Sequence, residues 1–331
     1  MTKGRITIRD VARAAGVSTT TVSDALRGRG RLAAATRKRV VQIARELGYT
    51  ANPRAQNLRL GRTGAIGLYI PEHTIGFEYY MNLAIGAAEQ ALDHGLALTL
   101  IPAWHDSTRA APLHVDGVVV SDPVLGDPAL RRFAELGLTV VTCERDLTPG
   151  ARHAGRVESD HQAGLRELLT HLADSGARRI ALLCPGAETS FGHDIRSAYQ
   201  AWCAETGRPA VVADVPFACQ PEDVTRAVEQ VLRSPTPPDA IVSVPDGGAA
   251  SALQAVLREG RRVPEDLLIA SYVDGPSLRG LAIPITAVDI APREMGRRAA
   301  RLLAELLSGQ VPHGSTETLP TKLVVRASTL R

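Results

Sequence analysis

The sequence is poor in the features that mark secreted, membrane-spanning or metal-binding proteins. Its 331 residues contain only four cysteines, and these lie too far apart to match a metal site: Cys143, Cys184, Cys203 and Cys219. Buried free thiols are typical of a reducing cytoplasm. No stretch reaches the roughly 18 apolar residues that a membrane span needs, and the N-terminus lacks the apolar core of a signal peptide. We therefore expect a cytoplasmic protein that binds neither a membrane nor a metal.

Motifs of the common enzyme classes are missing as well. The sequence has no G-x-S-x-G elbow, no P-loop and no G-x-G-x-x-G after a strand. Four histidines show no metal-ligand spacing, and we expect them at the surface or in the core: His153, His161, His171 and His193. No base can be identified for a cysteine nucleophile. The sequence therefore predicts a protein that is not an enzyme and that holds no cofactor.

Charge is distributed unevenly along a chain whose composition, 44% hydrophobic and 22% charged, is typical of a soluble globular protein. Residues 1–62 contain 14 Lys and Arg against three Asp and Glu, a net charge of +11. The whole chain carries only +3, so the remaining 269 residues carry −8. A basic segment of this kind is typical of a DNA-binding domain, because neutralising phosphates releases counterions.

Residues 8–26 have the pattern of two short helices separated by a tight turn. Apolar residues fall at i, i+3, i+4 and i+7 from Ile8 to Ala15, and the spacing resumes at Val22. Gly16 tolerates a left-handed turn, and the Ser18 hydroxyl can cap the second helix. The pattern predicts a helix-turn-helix motif, which places its second helix in the DNA major groove. A helical hairpin within an enzyme is the alternative.

Two further segments extend this N-terminal region. Residues 35–49, ATRKRVVQIARELGY, carry a third apolar stripe that ends at Gly48, which predicts a three-helix domain. Residues 52–61, NPRAQNLRLG, have an Asn that can cap a helix, a Pro suited to the first turn and a terminal Gly. So short a helix is marginal in isolation, and we expect it to form only with a partner helix and DNA.

Together these segments resemble the head and hinge of the LacI/GalR family of bacterial transcription regulators. The similarity rests on ITIRDVARAAGVSTTTVS, ATRKRVVQIARELGY and NPRAQNL, and it extends in order and spacing over nearly the whole chain. It implies a helix-turn-helix domain over 1–50, a hinge helix over 51–62, and an effector-binding, dimerising body over 63–331. It also implies that Leu58 inserts into the central base step of the operator and kinks the duplex. The alternative for Leu58 is a linker leucine packed on the body.

The expected base contacts lie on the second helix. Thr19 and Thr20 would face the bases early in this helix, with Asp24 one turn later. Because a carboxylate only accepts hydrogen bonds, Asp24 would favour cytosine N4 or adenine N6, unless it pairs with Arg13 or Arg27. The resemblance extends the predicted DNA-binding set to phosphate and hinge contacts: Thr7, Ser18, Thr21, Ser23, Arg31, Thr36, Tyr49, Asn52, Ala55 and Leu58.

From Gly64 onward, strand-like apolar runs alternate with amphipathic helices. This alternation predicts an α/β fold of parallel sheets covered by helices on both faces, and the number of strands indicates two lobes. The expected strands are 66–70, 96–101, 117–120, 139–143, 179–183, 211–215, 240–244, 267–271 and 286–288. The expected helices are 80–92, 129–136, 162–172, 196–205, 223–232, 249–259 and 293–307.

The resemblance implies a body like a periplasmic sugar-binding protein, with three crossovers between the lobes. Crossovers near 158–160, 289–291 and 318–321 would assign residues of about 63–158 and 291–318 to lobe one, and about 161–288 to lobe two.

An effector site is expected in the cleft between the lobes, because ligands of parallel sheets bind beyond the carboxyl ends of the strands. Tyr79 and Tyr80 follow the first strand, and their rings suit sugars or bases, with core packing as the alternative. Arg196 can grip vicinal hydroxyls or a carboxylate, unless it is a solvated helix charge. The resemblance adds three carboxylates that could instead cap or turn the chain: Asp160, Asp246 and Asp274.

Several positions depart from the family pattern. Val273 stands where an Asp is common, Pro245 where Asn is frequent, and Tyr199 where Gly is usual. Residues 102–114 are too few and too rich in proline for the helix that the family commonly has there. These departures predict an effector that is unusual, less polar or absent.

The sequence as a whole predicts a DNA-binding transcriptional repressor that binds a pseudo-palindromic double-stranded operator as a homodimer. The resemblance implies control by a small-molecule effector, a sugar or related polar metabolite. No heptad repeat follows the last strand-like segment, 322–326, so we expect a dimer rather than a tetramer. The alternative is a small-molecule binding protein or α/β enzyme whose basic head serves another purpose.

Overall fold

The computed structural model describes residues 6–27, 32–49, 61–71, 78–102 and 113–331. The chain divides into two compact units, Met1–Gly64 and Ala65–Arg331. None of the described helices combines the length and the apolar character that crossing a membrane requires.

The described part of the first unit contains three helices: α1 (Ile8–Ala15), α2 (Thr19–Arg27) and α3 (Ala34–Glu46). α1 ends at Gly16, whose φ of +62° is the left-handed conformation that glycine adopts without strain. The Thr21 backbone N–H donates to the Ser18 hydroxyl at 3.1 Å, which caps α2. The core includes one fully buried valine from each helix: Val11, Val22 and Val40. The three-helix head is therefore confirmed.

The second unit contains two six-stranded sheets. The first has the order β11-β5-β4-β3-β1-β2 and is parallel throughout. Its strands are β1 (Ala65–Ile70), β2 (Ala97–Pro102), β3 (Gly117–Ser121), β4 (Thr139–Cys143), β5 (Gly155–Ser159) and β11 (Ser315–Leu319). The second has the order β12-β10-β9-β8-β6-β7, in which only β12 is antiparallel. Its strands are β6 (Ile180–Cys184), β7 (Val211–Asp214), β8 (Ala240–Ser243), β9 (Leu268–Ser271), β10 (Thr286–Asp289) and β12 (Lys322–Val324).

Helices flank both sheets, so the α/β fold class is confirmed. The described helices of this unit are α4 (Glu78–Asp93), α5 (Pro128–Glu135), α6 (His161–Asp174), α7 (Ser190–Thr206), α8 (Pro221–Leu232), α9 (Gly248–Arg258), α10 (Pro276–Arg279) and α11 (Pro292–Ser308). The chain passes between the sheets after β5, after β10 and between β11 and β12. These three crossings lie beside the cleft that separates the lobes. Residues at the crossings are therefore held between the two sheets.

The sequence patterns missed two strands and misplaced one helix start. β5 (GRVES) and β11 (STETL) are mostly polar, so they lack the apolar run of a central strand. β5 alternates buried with partly exposed residues, and in β11 only Leu319 is buried. α7 begins at Ser190, six residues before the expected start at 196, because Thr189 caps it by accepting the Gly192 backbone N–H. The first turn of α7 has no apolar periodicity that would reveal it.

Helices α4 and α11 pack at backbone contact within lobe one. A Cβ atom added at Gly86 would lie 1.9 Å from the carbonyl oxygen of Arg293, and one added at Gly296 would lie 2.0 Å from that of Leu83. Glu89 of α4 accepts hydrogen bonds from two arginines of α11, Arg293 and Arg297. The two glycines therefore let the helix that follows the second crossing lie directly against α4.

Candidate functional site

A cavity lies between the two lobes, beyond the carboxyl ends of the strands. About 460 Å³ of space, open solvent at its mouth included, lies between the lining atoms. Lobe one contributes Tyr79, Tyr80, Asp122 and Glu144. Lobe two contributes Pro185, Phe191, Phe217, Pro245, Asp246 and Val273. Residues at the first two crossings complete the wall: His161 and Ile290.

Two buried carboxylates of this cavity sit on strained backbone. Asp122 and Glu144 directly follow β3 and β4, and their φ angles are +42° and +72°. Within the described ranges, only Ala291 among the other non-glycine residues has a positive φ, and it directly follows the cavity residue Ile290. Such conformations cost on the order of 1–3 kcal/mol each and cluster at ligand sites. Sequence patterns did not reveal these residues; the only signal was an acid at the end of each apolar strand, VVVSD and VVTCE.

The Asp122 carboxylate is held close to a second acid. Tyr80 donates its hydroxyl hydrogen to Asp122 Oδ2 at 2.8 Å, and Glu144 Oε1 accepts the Ser159 backbone N–H at 3.0 Å. Burial and the nearby Glu144 charge raise the pKa of Asp122 to about 7. Near neutral pH, this carboxyl group therefore changes its charge with small changes in its surroundings.

His161 opens α6 and lines this cavity; it is buried, as expected for a histidine of the core. The residue is 2% exposed, its Nδ1 lies 3.1 Å from the Tyr272 hydroxyl, and its Nε2 lies 3.3 Å from Glu144 Oε2. That second approach pairs Nε2 with the Glu144 carboxylate by charge, although its geometry falls short of a hydrogen bond. Burial lowers the pKa of His161, but the Glu144 carboxylate outweighs it, and the net pKa is raised.

Three of the residues predicted for the effector site line the cavity. The Tyr79 and Tyr80 rings meet edge to face with centroids 5.0 Å apart. Asp246 of lobe two accepts the Tyr79 backbone N–H on Oδ2 at 3.1 Å, which links the two lobes. Burial raises the pKa of Asp246 above its ordinary value. These three residues therefore form one continuous wall across the cleft.

The other three predicted residues lie outside the cavity wall and have structural partners. Arg196 donates to Asp214 Oδ1 at 2.6 Å and to the Pro185 carbonyl at 3.1 Å, so its guanidinium ties α7 to the ends of β6 and β7. Asp160 caps α6 by accepting the Ala163 backbone N–H at 3.0 Å. Asp274 accepts hydrogen bonds from two arginines of lobe two, Arg279 and Arg326. The sequence could not show these pairings, because they depend on how the folded chain brings the partners together.

The departures from the family pattern have two distinct outcomes in the structure. Val273 and Pro245 line the cavity and make that part of its wall apolar. Tyr199 is fully buried away from it, where its hydroxyl donates to the Ile180 carbonyl at 2.7 Å and accepts the Val211 backbone N–H at 2.9 Å. Tyr199 therefore joins β6 to β7, whereas the other two change the chemistry of the site.

Direct contacts join the lobes at the mouth of the cleft. Arg145 of lobe one donates to Asp194 Oδ1 of lobe two at 2.5 Å, and the Leu125 backbone N–H donates to the Glu188 carbonyl at 2.8 Å. These two contacts therefore bridge the lobes across the cleft.

The start of α2 is the exposed part of the candidate DNA-reading surface. Thr19 and Thr20 are exposed, and Asp24 is partly buried. Arg13, one alternative partner for Asp24, lies 3.6 Å from Asp10. Three predicted phosphate contacts also stabilise helix starts: Thr7, Ser18 and Thr21. Ser23, Thr36 and Tyr49 are partly buried in the head, and four predicted contacts lie outside the described residues: Arg31, Asn52, Ala55 and Leu58.

Comparison with known proteins finds a matching family model within each unit. Residues 7–52 match the family model of bacterial regulatory proteins of the lacI family, and residues 169–329 match that of the periplasmic binding protein-like domain. The HTH-type transcriptional regulator CelR of Thermobifida fusca is 28% identical over 334 residues, which cover 98% of each chain. The HTH-type transcriptional repressor CytR of Escherichia coli K12 is 27% identical over 334 residues, 98% of this chain and 96% of CytR.

Solved structures match along almost the full length. A CelR complex with cellobiose has a TM-score of 0.74 at 27% identity and covers 98% of this chain and 100% of CelR. A lac repressor dimer bound to operator and an anti-inducer has a TM-score of 0.76 at 22% identity and covers 99% of this chain and 100% of that one. At that identity the second match shows the fold alone.

Proposed function

Because this chain belongs to the lacI family of bacterial regulatory proteins, we propose that it represses transcription by binding operator DNA through its head as a homodimer. A small-molecule effector in the cleft of the body would then control this binding. The observation that carries the proposal is the pairing, in one chain, of a basic three-helix head with a body that encloses a cavity at its strand ends. A regulator of chromosomal genes would act in the cytoplasm.

A gel-shift assay on genomic fragments tests this proposal directly. The repressor hypothesis requires retention of a few fragments that share a pseudo-palindromic sequence, at salt concentrations that release non-specific DNA. Equal, salt-sensitive retention of all fragments would instead favour a binding protein or enzyme whose basic head serves another purpose. Competition with unrelated DNA distinguishes the two results.

The identity of the bases read by α2 can be tested at Asp24. If its carboxylate accepts from cytosine or adenine, Asp24→Asn should change the base preference at one position of each half-site by about 1–3 kcal/mol. Binding-site selection on both proteins measures this change. If the two recovered operator sequences are identical, Asp24 does not read a base. Thr20→Ala provides a comparison, because losing its methyl and hydroxyl should alter a different position.

The homodimer is proposed to form through an exposed apolar surface of lobe one. Met81, Ile85 and Leu92 are 63%, 41% and 72% exposed and share one face of α4, and Leu100 is 59% exposed on β2. β2 is also the edge strand of its sheet. Exposed apolar patches and open sheet edges on soluble proteins mark protein interfaces. We therefore assign this surface to a second copy of the chain.

A charge within that surface should separate the subunits. Ile85→Glu is expected to convert the dimer into a monomer and to weaken operator binding at least tenfold, because a monomer holds only one half-site. Light scattering after gel filtration measures the mass. Leu257→Glu, at a 46% exposed leucine of α9 in lobe two, is the matched control and should remain dimeric. A dimeric Ile85→Glu protein would place the interface elsewhere.

The effector of this chain is proposed to bind in the cavity lined by Tyr79, Tyr80 and Asp246. One solved relative, CelR, holds cellobiose, and by analogy we propose a small polyhydroxylated ligand. Binding of such a ligand would change the contacts that close the cleft, such as Arg145 with Asp194. The effect on operator affinity can then be measured by adding candidate ligands to the gel-shift assay.

A further inference from the structure

We propose that the cavity between the lobes selects a small ligand that carries a protonated amine, and that Asp122 and Glu144 bind the ammonium group. The proposal rests on the proposed function only in taking this cavity as the effector site. An amino sugar would combine the ammonium group with the polyhydroxylated frame proposed above.

The hydrogen-bonding groups of the cavity favour an ammonium group over a neutral hydroxyl. Three of the lining side chains described above are carboxylates, Asp122, Glu144 and Asp246, whereas none of those described is Arg, Lys, Asn or Gln. The Tyr80 hydroxyl already donates its hydrogen to Asp122. A sugar hydroxyl needs both donors and acceptors, whereas an ammonium group has three donors and no acceptor. The wall is therefore rich in acceptors and poor in donors, as an ammonium ligand requires.

The charge within the cavity is balanced by protons rather than by a fixed cation. Asp122 and Glu144 are buried together, and their repulsion helps to raise the pKa of Asp122 to about 7. His161 stands beside Glu144, which raises the pKa of the imidazole. A ligand cation would replace the charge of these protons, because an ammonium group can satisfy both carboxylates at once. The strained backbone at Asp122 and Glu144 keeps both groups directed to the same space.

His161 adds a group that can respond to a bound cation, because its Nε2 lies 3.3 Å from Glu144 Oε2 without forming a hydrogen bond to it. Tyr272 donates its hydroxyl hydrogen to the His161 carbonyl at 3.2 Å, so its oxygen accepts from His161 Nδ1. If His161 gives up its proton, the remaining hydrogen stays on Nδ1 and Nε2 presents a lone pair to the cavity. This nitrogen can accept a hydrogen bond from the same ammonium group, and His161 loses its proton as the ligand binds.

The aromatic walls suit a cation as well. The Phe191 ring centroid lies 5.2 Å from that of His161 and 6.4 Å from that of Phe217, and Tyr79 lines the same cavity. Aromatic faces attract cations when the centroid lies within about 6 Å, and the attraction is stronger away from water. Acidic and aromatic groups together therefore favour an organic cation over a sugar phosphate, which the carboxylates would repel.

Ligands matched except for the amine test the proposal on the full-length protein. At pH 7.5, glucosamine is expected to raise Tm and to bind at least ten times more tightly than glucose in calorimetry, and putrescine more tightly than 1,4-butanediol. Glucose 6-phosphate should not bind. Glu144→Gln should weaken the binding of the amines at least tenfold, whereas Glu135→Gln, at an exposed position of α5, should not. Asp122→Asn provides a second test if Glu144→Gln does not fold.

Proton release provides a readout that simple packing would not produce. The titratable groups that face one another here are Asp122, Glu144, His161, Tyr79, Tyr80, Asp246, Tyr272, Cys143 and Asp194. Binding of an amine at pH 7 should release protons from Asp122 and His161, measured by calorimetry in buffers of different ionisation enthalpy. Affinity should fall as the pH decreases from 8 to 5.5.

Three results would overturn the proposal: glucose binding as tightly as glucosamine, binding of glucose 6-phosphate, or no stabilisation by either amine. A gel shift with the same preparation separates these results from a failure of the repressor function, since operator binding does not need the cavity to accept an amine.

Discussion

Gly296→Ala and Gly86→Ala are expected to lower the free energy of unfolding of the body by about 2 kcal/mol or more. An added Cβ would lie 2.0 Å from the Leu83 carbonyl oxygen in the first case and 1.9 Å from the Arg293 carbonyl oxygen in the second. Because the obstructing atoms belong to helix backbones, no side-chain rotation can relieve the contact. Overpacking of this kind costs about 1–3 kcal/mol or more, whereas replacing a helical Gly with Ala gains at most about 1 kcal/mol.

Urea denaturation followed by circular dichroism measures this loss. Gly280→Ala is the matched control, because its φ is −88° and a Cβ added there would meet no atom within 4 Å. That variant should differ from the wild type by less than about 0.5 kcal/mol. If Gly296→Ala were as stable as the control, α4 and α11 would not pack at backbone contact. Helix propensity would then dominate at that position.

The close packing of α4 and α11 also shows which parts of the fold the sequence could reveal. Apolar periodicity predicted both helices, because each buries a regular stripe: Leu83, Ala87 and Ala91 on α4, for example. It could not show that Gly86 and Gly296 mark their contact, since glycine has no side chain to follow a pattern. Local propensity therefore predicts that a helix forms, whereas the helix against which it packs depends on long-range contacts.

The residues of the candidate site also differ in whether the sequence could predict them. Tyr79, Tyr80 and Asp246 could be placed in the cleft because they follow strands whose carboxyl ends share one edge. The chemistry of a guanidinium predicts Arg196 as a ligand contact, but in the folded chain it pairs with Asp214. Chemistry alone does not show whether a charged group already has a partner. The cavity position of Glu144 could not be predicted, because it depends on a left-handed φ that no residue pattern encodes.

Asp122→Asn is expected to stabilise the protein at pH 8 relative to the wild type, with little difference at about pH 4. The pKa of Asp122 is about 7 in the folded protein, against an ordinary value of 3.8. Between about pH 4 and 7, the folded protein therefore keeps a proton that the unfolded chain has released, so raising the pH favours unfolding. One pKa unit corresponds to about 1.4 kcal/mol. The uncharged Asn retains an oxygen that can accept from Tyr80 and loses the repulsion from Glu144.

Urea denaturation at half-unit pH steps measures the difference in stability between the variant and the wild type. This difference should grow by up to about 1.4 kcal/mol per pH unit from about pH 4 to 7 and become constant above about pH 8, where Asp122 is ionised in both states. Asp93→Asn, at an exposed carboxylate that ends α4, should give a difference that does not change over this range. A flat difference for Asp122→Asn would mean that Asp122 is already ionised at pH 5, and the repulsion from Glu144 would then be relieved by His161 alone.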